Sequence, residues 1–375
     1  MSAARKIWST TWRIAVGLLL LVWIVHSIFV NEAREQAGRG MLVDNGRQIT
    51  WNASQQPLRS EQWRLGWKYG PTALWKTVRS VQPLPLAISV LVVGIAIGIG
   101  VVRWRVLLAA GGFNLSAGRA AEISFVAHFF NSLMLGTVGG DVMKAYYAAR
   151  ETHHRKTEAV VTVLVDRVIG LWAMLVFAAL MVLPNWRLFQ QPGLRTITAV
   201  TFVTMLAATG FVFIAFRGGI SKRWTRAREA LRRLPKGEWI ERLLDACRAY
   251  GKAPGALRTA FCFSMAANLL CVTQFWVLAR GLKLEVSFLE LCLIVPTIVC
   301  IAAIPIAPSG IGVRENLFVQ MLAIPAIAAP ATPALSLSLL ALAGSLFWSL
   351  IGGVVYMMFR HKHHLAEREL MNRET

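Results

Sequence analysis

Residues 120–144 read AAEISFVAHFFNSLMLGTVGGDVMK, and the way this stretch meets a membrane decides the fold. Ala120–Val138 is apolar over most of its length and as a helix extends roughly 28 Å, close to the roughly 30 Å of a hydrocarbon layer. A full crossing would carry Lys144, Arg150, Arg155 and Lys156 to the far side, against the bias that keeps basic loops cytoplasmic. Gly136, Gly139 and Gly140 also fall together where a crossing helix has to continue, and each glycine weakens a helix by about 1 kcal/mol relative to alanine. A re-entrant hairpin that enters and leaves on the cytoplasmic face removes both conflicts.

Outward from this stretch the chain is built of uninterrupted apolar runs: Ile14–Val30, Leu86–Val102, Ala159–Leu183, Ile197–Phe216, Ala260–Ala279 and Ala334–Phe359. About 18 apolar residues suffice to cross a bilayer. Hydrophobic residues make up 56% of the 375 positions and charged residues 16%, where soluble domains average about 45–50% and 25%. The expected fold is an all-α polytopic membrane protein with about six full spanning helices.

Basic residues orient these spans. Arg5, Lys6 and Arg13 hold the N-terminus inside, and residues 1–30 are expected to form an uncleaved anchor helix, because the run is long and no small-residue cleavage site follows it. Residues 31–83 are expected outside. Within them Val43–Ile49 carries an Asn45-Gly46 step that favours a tight hairpin turn. Trp63, Trp67 and Trp75 interleave with Arg64, Lys68 and Lys76, the pattern of a helix lying on the outer membrane surface; a small solvated loop is the plainer alternative. Residues 84–359 form the membrane domain, interrupted by a basic cytoplasmic loop at 217–258, and residues 360–375 form a cytoplasmic tail.

With the last helix ending inside, the chain between Gly281 and Pro333 must start and finish outside. Pro296, Pro305, Pro308, Gly310, Gly312 and Pro325 interrupt its apolar background, which makes a second broken segment that enters from the opposite face. The order helix, re-entrant hairpin, helix thus occurs twice in opposite orientation, the inverted-repeat plan of many secondary transporters. Two short spans in place of each hairpin is the alternative.

The formal charge of +21 does not point to nucleic acid, because the basic residues gather in short loops beside apolar runs, where they set topology and meet anionic lipid. Cys262, Cys271, Cys292 and Cys300 lie in apolar segments and Cys247 in the basic loop, without zinc spacing. No nucleotide-binding loop, metalloprotease motif or nucleophile elbow occurs, so no cofactor, metal or catalytic residue is expected. His26 and His128 fall within apolar runs, as packed neutral rings or as proton carriers. Gly94 and Gly98 have the spacing of close helix packing.

Three charged clusters adjoin or interrupt the apolar segments: Asp141 with Lys144, Asp166 with Arg167, and Arg314 with Glu315. A charge near the centre of a membrane helix costs at least about 2.5–3.5 kcal/mol, so such residues face the bundle interior and often mark a pathway. Asp141 and Lys144, three apart, can meet on one helical face. The other two pairs are adjacent in sequence and point apart, so each member is expected to find its partner on another segment, which draws both hairpins and the Asp166 helix around a shared polar chamber. The competing reading is an ion-pair network that only fixes the packing. Gly140, Gly310 and Gly312 beside the charges allow tight turns or close approach of a headgroup to the backbone.

At these motifs the sequence resembles the transmembrane, flippase-like domain of lysylphosphatidylglycerol synthases and its stand-alone bacterial relatives. The run from Phe129-Phe-Asn131 to Gly139-Gly140-Asp141-Val-Met-Lys144 is similar to that family's asparagine-to-Gly-Asp motif. Val165-Asp166-Arg167-Val-Ile-Gly170 and Pro308-Ser-Gly310-Ile-Gly312-Val-Arg314-Glu315 resemble its other two, and the likeness runs from about Leu86 to Phe359. Leu135 stands where proline is usual, Lys144 where arginine is common, and Ser309 and Asn316 where glycine is frequent.

The resemblance implies a protein of the bacterial inner membrane that flips or otherwise handles a polar-headgroup lipid; the basic residues at Arg5, Lys6 and Arg13 and at Arg360 to His364 are expected to keep both termini of this multi-pass chain cytoplasmic. The resemblance singles out Asn131, Asp141, Asp166, Arg167, Arg314 and Glu315. The chain ends soon after Phe359, so the soluble aminoacyl-transferring domain and lysyl transfer are not expected. The leading expectation is a lipid flippase or transporter and not an enzyme. Its substrate-binding set is Asn131, Gly140, Asp141, Lys144, Asp166, Arg167, Gly310, Gly312, Arg314 and Glu315, with Lys144, Arg167 and Arg314 facing a phosphate-bearing phospholipid or lipid-linked headgroup. The alternatives are a non-transporting partner of a separate lipid-modifying enzyme, and an integral-membrane lipid or glycosyl transferase built on Asp141 or Asp166.

Overall fold

The computed structural model describes residues 59–133, 139–151, 156–190, 192–217, 250–302 and 312–374, with scattered positions between 22 and 57. The N-terminal charges, most of Ile14–Val30, the Asn45-Gly46 step, His153-His154, the basic loop from 218 to 249, and Pro305, Pro308 and Gly310 lie outside the described residues.

Ahead of the membrane domain, β1 (Val43–Asp44) pairs antiparallel with β2 (Arg47–Gln48). The hairpin rests on α1 (Arg59–Arg79), where Asp44 accepts hydrogen bonds from Arg64 at 2.7 Å, from Lys68, and from the Tyr69 hydroxyl at 3.4 Å. Two of the basic residues between the tryptophans therefore turn inward to a buried carboxylate. Leu65 packs with Ala33, Ala37 and Trp51, while Trp67 and Trp75 stay exposed.

The membrane domain begins with α2 (Pro83–Ala110), which opens on a proline in its first turn and closes where Gly111 N–H meets the Leu107 carbonyl. Proline lacks only an N–H that a first turn leaves unbonded anyway. It is followed by α3 (Ala117–Leu133), α4 (Gly139–Glu151), α5 (Lys156–Leu180), the short α6 (Trp186–Phe189) and α7 (Pro192–Arg217). Beyond the basic loop come α8 (Pro254–Gly281), α9 (Phe288–Ala302), α10 (Val313–Leu322) and α11 (Ala331–Glu374). Among the described residues four helices are long and apolar enough to cross a membrane: α2, α5, α8, and α11 through Met358. The run Ile197–Phe216 falls in α7, where Phe202–Phe213 is the apolar stretch.

α3 and α4 form an antiparallel hairpin. Asn131 Oδ1 accepts from Gly140 N–H at 2.8 Å at the tip, and Arg119 pairs with Glu151 at the base. Gly140 is required there, because a Cβ would overlap the Ala127 carbonyl and the Asn131 side chain. This close approach is between protein segments, and the glycine serves the hairpin.

The most extensive helix contact joins α2 and α8. They run antiparallel: Gln82 N–H reaches Gly281 O at one end, and Arg103 reaches Ser264 nearer the other. Around them the neighbours repeat. α4 touches α3 and α5 as α10 touches α9 and α11; α3 packs on α11 as α9 packs on α5; α11 touches α2 as α5 touches α8. Exchanging α2–α5 for α8–α11 leaves this pattern unchanged. Helices surrounded by lipid gain little from burying apolar surface, so close packing and interhelical hydrogen bonds hold them. Trp104 Nε1 donates to Thr162, Trp348 Nε1 to the Val90 carbonyl and Gln274 to the Ala341 carbonyl. Gly94 admits the Trp348 indole, whereas a Cβ at Gly98 would meet nothing within 4 Å among the described residues.

Candidate functional site

The first-turn residues of α4 and α10 meet α2, α5 and α9 around a cavity of about 350 Å³. Its lining includes Arg103, Asp141, Asp166, Arg167 and Arg314, with Gly170, Met174, Val299 and Ala302 among its apolar walls. Ligand pockets are commonly roughly 300–1,000 Å³.

Asp166 is the hub. Its Oδ1 accepts from Arg103 Nε at 2.7 Å and its Oδ2 from Lys144 Nζ at 2.9 Å. Arg103 also donates to Ser264 Oγ at 2.9 Å, and Lys144 lies 4.3 Å from the centroid of the Trp104 ring. The adjacent Arg167 turns to Asp141 at 3.5 Å, a longer contact between more exposed side chains. Asp166 and Arg167 therefore do take partners from other segments. Asp141 and Lys144 do not pair with one another, because Asp166 on α5 lies nearer the lysine and Arg167 nearer the aspartate.

Arg314 and Glu315 depart from expectation. Arg314 Nη2 and Nε both donate to Glu315 Oε1, at 2.7 and 3.1 Å. The fully buried Glu315 also accepts from Gly312 N–H at 2.7 Å and from Ser338 Oγ at 3.3 Å. Adjacent residues on a regular helix point apart, but these occupy a first turn, where a carboxylate folds back onto the unbonded N–H groups. Gly312, at φ 85°, supplies a left-handed turn that other residues adopt at a cost.

Of the residues marked in the sequence, Asp141, Asp166, Arg167 and Arg314 line the cavity. Lys144, Glu315 and Gly312 stand behind them and fix their positions. Asn131 and Gly140 tie the hairpin tip, and Gly310 lies outside the described residues.

Arg103 is the cavity-lining cation that sequence reasoning missed. By sequence it reads as a charge just past the end of the apolar run Leu86–Val102, yet α2 continues to Ala110. The apolar run Val106–Ala110 that follows was the available signal. With Arg103, four cations face three carboxylates, so the cluster carries one net positive charge. Arginine guanidinium groups bind phosphate and carboxylate bidentately, and a water-poor setting strengthens such contacts. The arrangement is suited to holding an anion where α2, α4, α5, α9 and α10 meet.

The family model for the lysylphosphatidylglycerol synthase TM region matches residues 62–353. It reaches back into α1, well ahead of Leu86, where the likeness read from the motifs begins. A UPF0104 membrane protein of Pyrococcus horikoshii is 22% identical over 295 residues, covering 73% of this chain and 87% of that protein. The chain is a membrane protein and belongs to the lysylphosphatidylglycerol synthase transmembrane-region family.

Proposed function

We propose that this protein is a lipid transporter of the cytoplasmic membrane that takes a phosphate-bearing headgroup into the polar cavity and passes it between leaflets. The observation that carries this reading is the net positive cavity lined by Arg103, Arg167 and Arg314 where α2, α4, α5, α9 and α10 meet. A headgroup entering the bilayer interior loses its water, and only a preformed set of donors offsets that cost. Arg167 and Arg314 meet the phosphate, Arg103 sets the charge beside it, and Asp141, Asp166 and Glu315 hold Arg167, Arg103 and Arg314 respectively when the site is empty. The acyl chains remain in the bilayer.

In this reading each helical hairpin is re-entrant, the two halves form an inverted repeat, and both termini are cytoplasmic. The antiparallel α2 and α8 and the matching neighbour pattern of the two halves support the repeat. α1, with Trp75 and Lys76 exposed, lies along the outer surface. The family's own name ties it to a lipid synthase, which accords with a lipid substrate.

The test is leaflet translocation of labelled phospholipids in proteoliposomes, comparing wild type with Arg167→Ala and Arg314→Ala and imposing a proton gradient in a parallel series. The expected result is movement above empty liposomes that falls at least about tenfold in either variant, the loss of about 1.4 kcal/mol of headgroup binding. Wild-type movement no faster than empty liposomes, over a broad lipid panel and with folded protein, refutes the proposal and leaves the chain as a membrane partner of a separate lipid-modifying enzyme.

A further inference from the structure

A second cavity, of about 430 Å³, lies between α5, α7 and α8. Arg167, Gly170, Leu171 and Met174 of α5 face the polar cavity, whereas Ile169 and Trp172 face this one. At about 100° per residue these two sets lie on opposite sides of the helix, so the second cavity is separate from the first. Trp172, Phe213, Phe216, Leu257 and Phe261 form its walls, and Arg258 is the one charged residue among the described residues that line it.

Its walls are held by protein contacts. Trp172 Nε1 donates to Thr209 Oγ1 of α7 at 2.9 Å, and the Trp172 and Phe261 rings lie 4.8 Å apart, tying α5 to α8. Gly251 closes one end, because a Cβ there would overlap the Phe216 carbonyl. Three helices are thus fixed around an apolar groove. The exposed Arg258 lies in the second turn of α8, on the side where the basic stretch 218–249 joins α7 to α8.

In a bilayer, moving an acyl chain from lipid into an apolar protein groove gains little, since lipid tails are as apolar as leucine. Retention of one particular lipid has to come from its charged end, and the cation at the groove selects an anion. We propose that this groove holds an acyl chain of an anionic phospholipid whose phosphate rests against Arg258, at a site distinct from the polar cavity. The proposal rests on the membrane setting and not on transport, so it survives a failure of the translocation assay.

To test it, full-length protein is reconstituted in nanodiscs of mixed phosphatidylglycerol and phosphatidylcholine, extracted in mild detergent and analysed by native mass spectrometry for retained lipid. Wild type is expected to keep phosphatidylglycerol in preference to phosphatidylcholine. Arg258→Gln is expected to lower that retention about fivefold, the usual worth of one surface cation near anionic lipid. Leu257→Trp, which fills the groove, is expected to remove it, and Arg187→Gln, exposed on α6, to leave it unchanged. Arg258→Gln alters an exposed side chain and decides the matter even where Leu257→Trp fails to fold. Equal retention of the two lipids by wild type, or unchanged phosphatidylglycerol retention in Arg258→Gln with a wild-type melting temperature, overturns the proposal.

Discussion

Replacing Asp166 by asparagine removes the one carboxylate shared by Arg103 and Lys144. The Asp166 side chain is 8% exposed and that of Lys144 10%, so water replaces little of what is lost. Asparagine keeps one oxygen acceptor and loses the other. One hydrogen bond to a charged group, at about 1.5–3 kcal/mol, is therefore lost outright and the second loses its opposite charge. Breaking a buried pair by deleting one partner costs about 3–5 kcal/mol. Coupling between the partners sharpens the test: once Lys144 is replaced by methionine, the same change at Asp166 leaves one cation stranded instead of two. Asp166→Asn should therefore cost less in the Lys144→Met background, with a coupling of about 1–3 kcal/mol, as for residues in direct contact. Reversible unfolding in mixed detergent micelles with increasing SDS, followed by tryptophan fluorescence, measures all four proteins of this cycle. An Asp166→Asn variant within about 1 kcal/mol of wild type, or strictly additive losses, would refute the hub assignment.

Gly140→Val places side-chain atoms against the Ala127 carbonyl and Asn131 and should destabilise by at least about 1–3 kcal/mol, the usual penalty of overpacking; a wild-type melting temperature in detergent would count against the close hairpin tip. Glu315→Gln takes charge from a group that serves Gly312, Arg314 and Ser338 together, so hydrogen exchange across Val313–Leu322 should accelerate. Unchanged exchange there would show that the helix start is held in another way. The Asp44 carboxyl is held below the usual aspartate range, chiefly by the hydrogen bond from Lys68 and then by the charge of Arg64. A folded-state value below the unfolded one contributes stability that is present above about pH 4 and is lost as pH falls through the lower folded value. Protection of residues 43–48 should accordingly drop on acidification from pH 6 to about pH 3, and Asp44→Asn should abolish that dependence; an identical acid response in the Asp44→Asn variant would exclude the aspartate as its source.

The sequence alone carried whatever depends on neighbours along the chain. Long apolar runs became α2, α5, α8 and the first part of α11, because crossing lipid is a matter of length and polarity that each segment satisfies by itself. The glycines at Gly139-Gly140 and the charges beyond them marked a break where α4 begins, and Asp141, Asp166, Arg167 and Arg314 were legible as membrane charges in need of company. Which groups supply that company was not legible. Arg103 reaches Asp166 across 63 positions and Ser264 across 161, and only the antiparallel docking of α2 on α8 and their packing with α5 brings them together. Glu315 took its own neighbour as partner because a helix start bends side chains back onto open N–H groups, a local geometry hidden by the ideal helical wheel. The apolar groove at Trp172 likewise has no trace in the sequence, since its residues look like any lipid-facing stripe until three helices close around them. Segment identity follows from local solvation, whereas the pairing of charges and the shape of cavities follow from which distant helices touch.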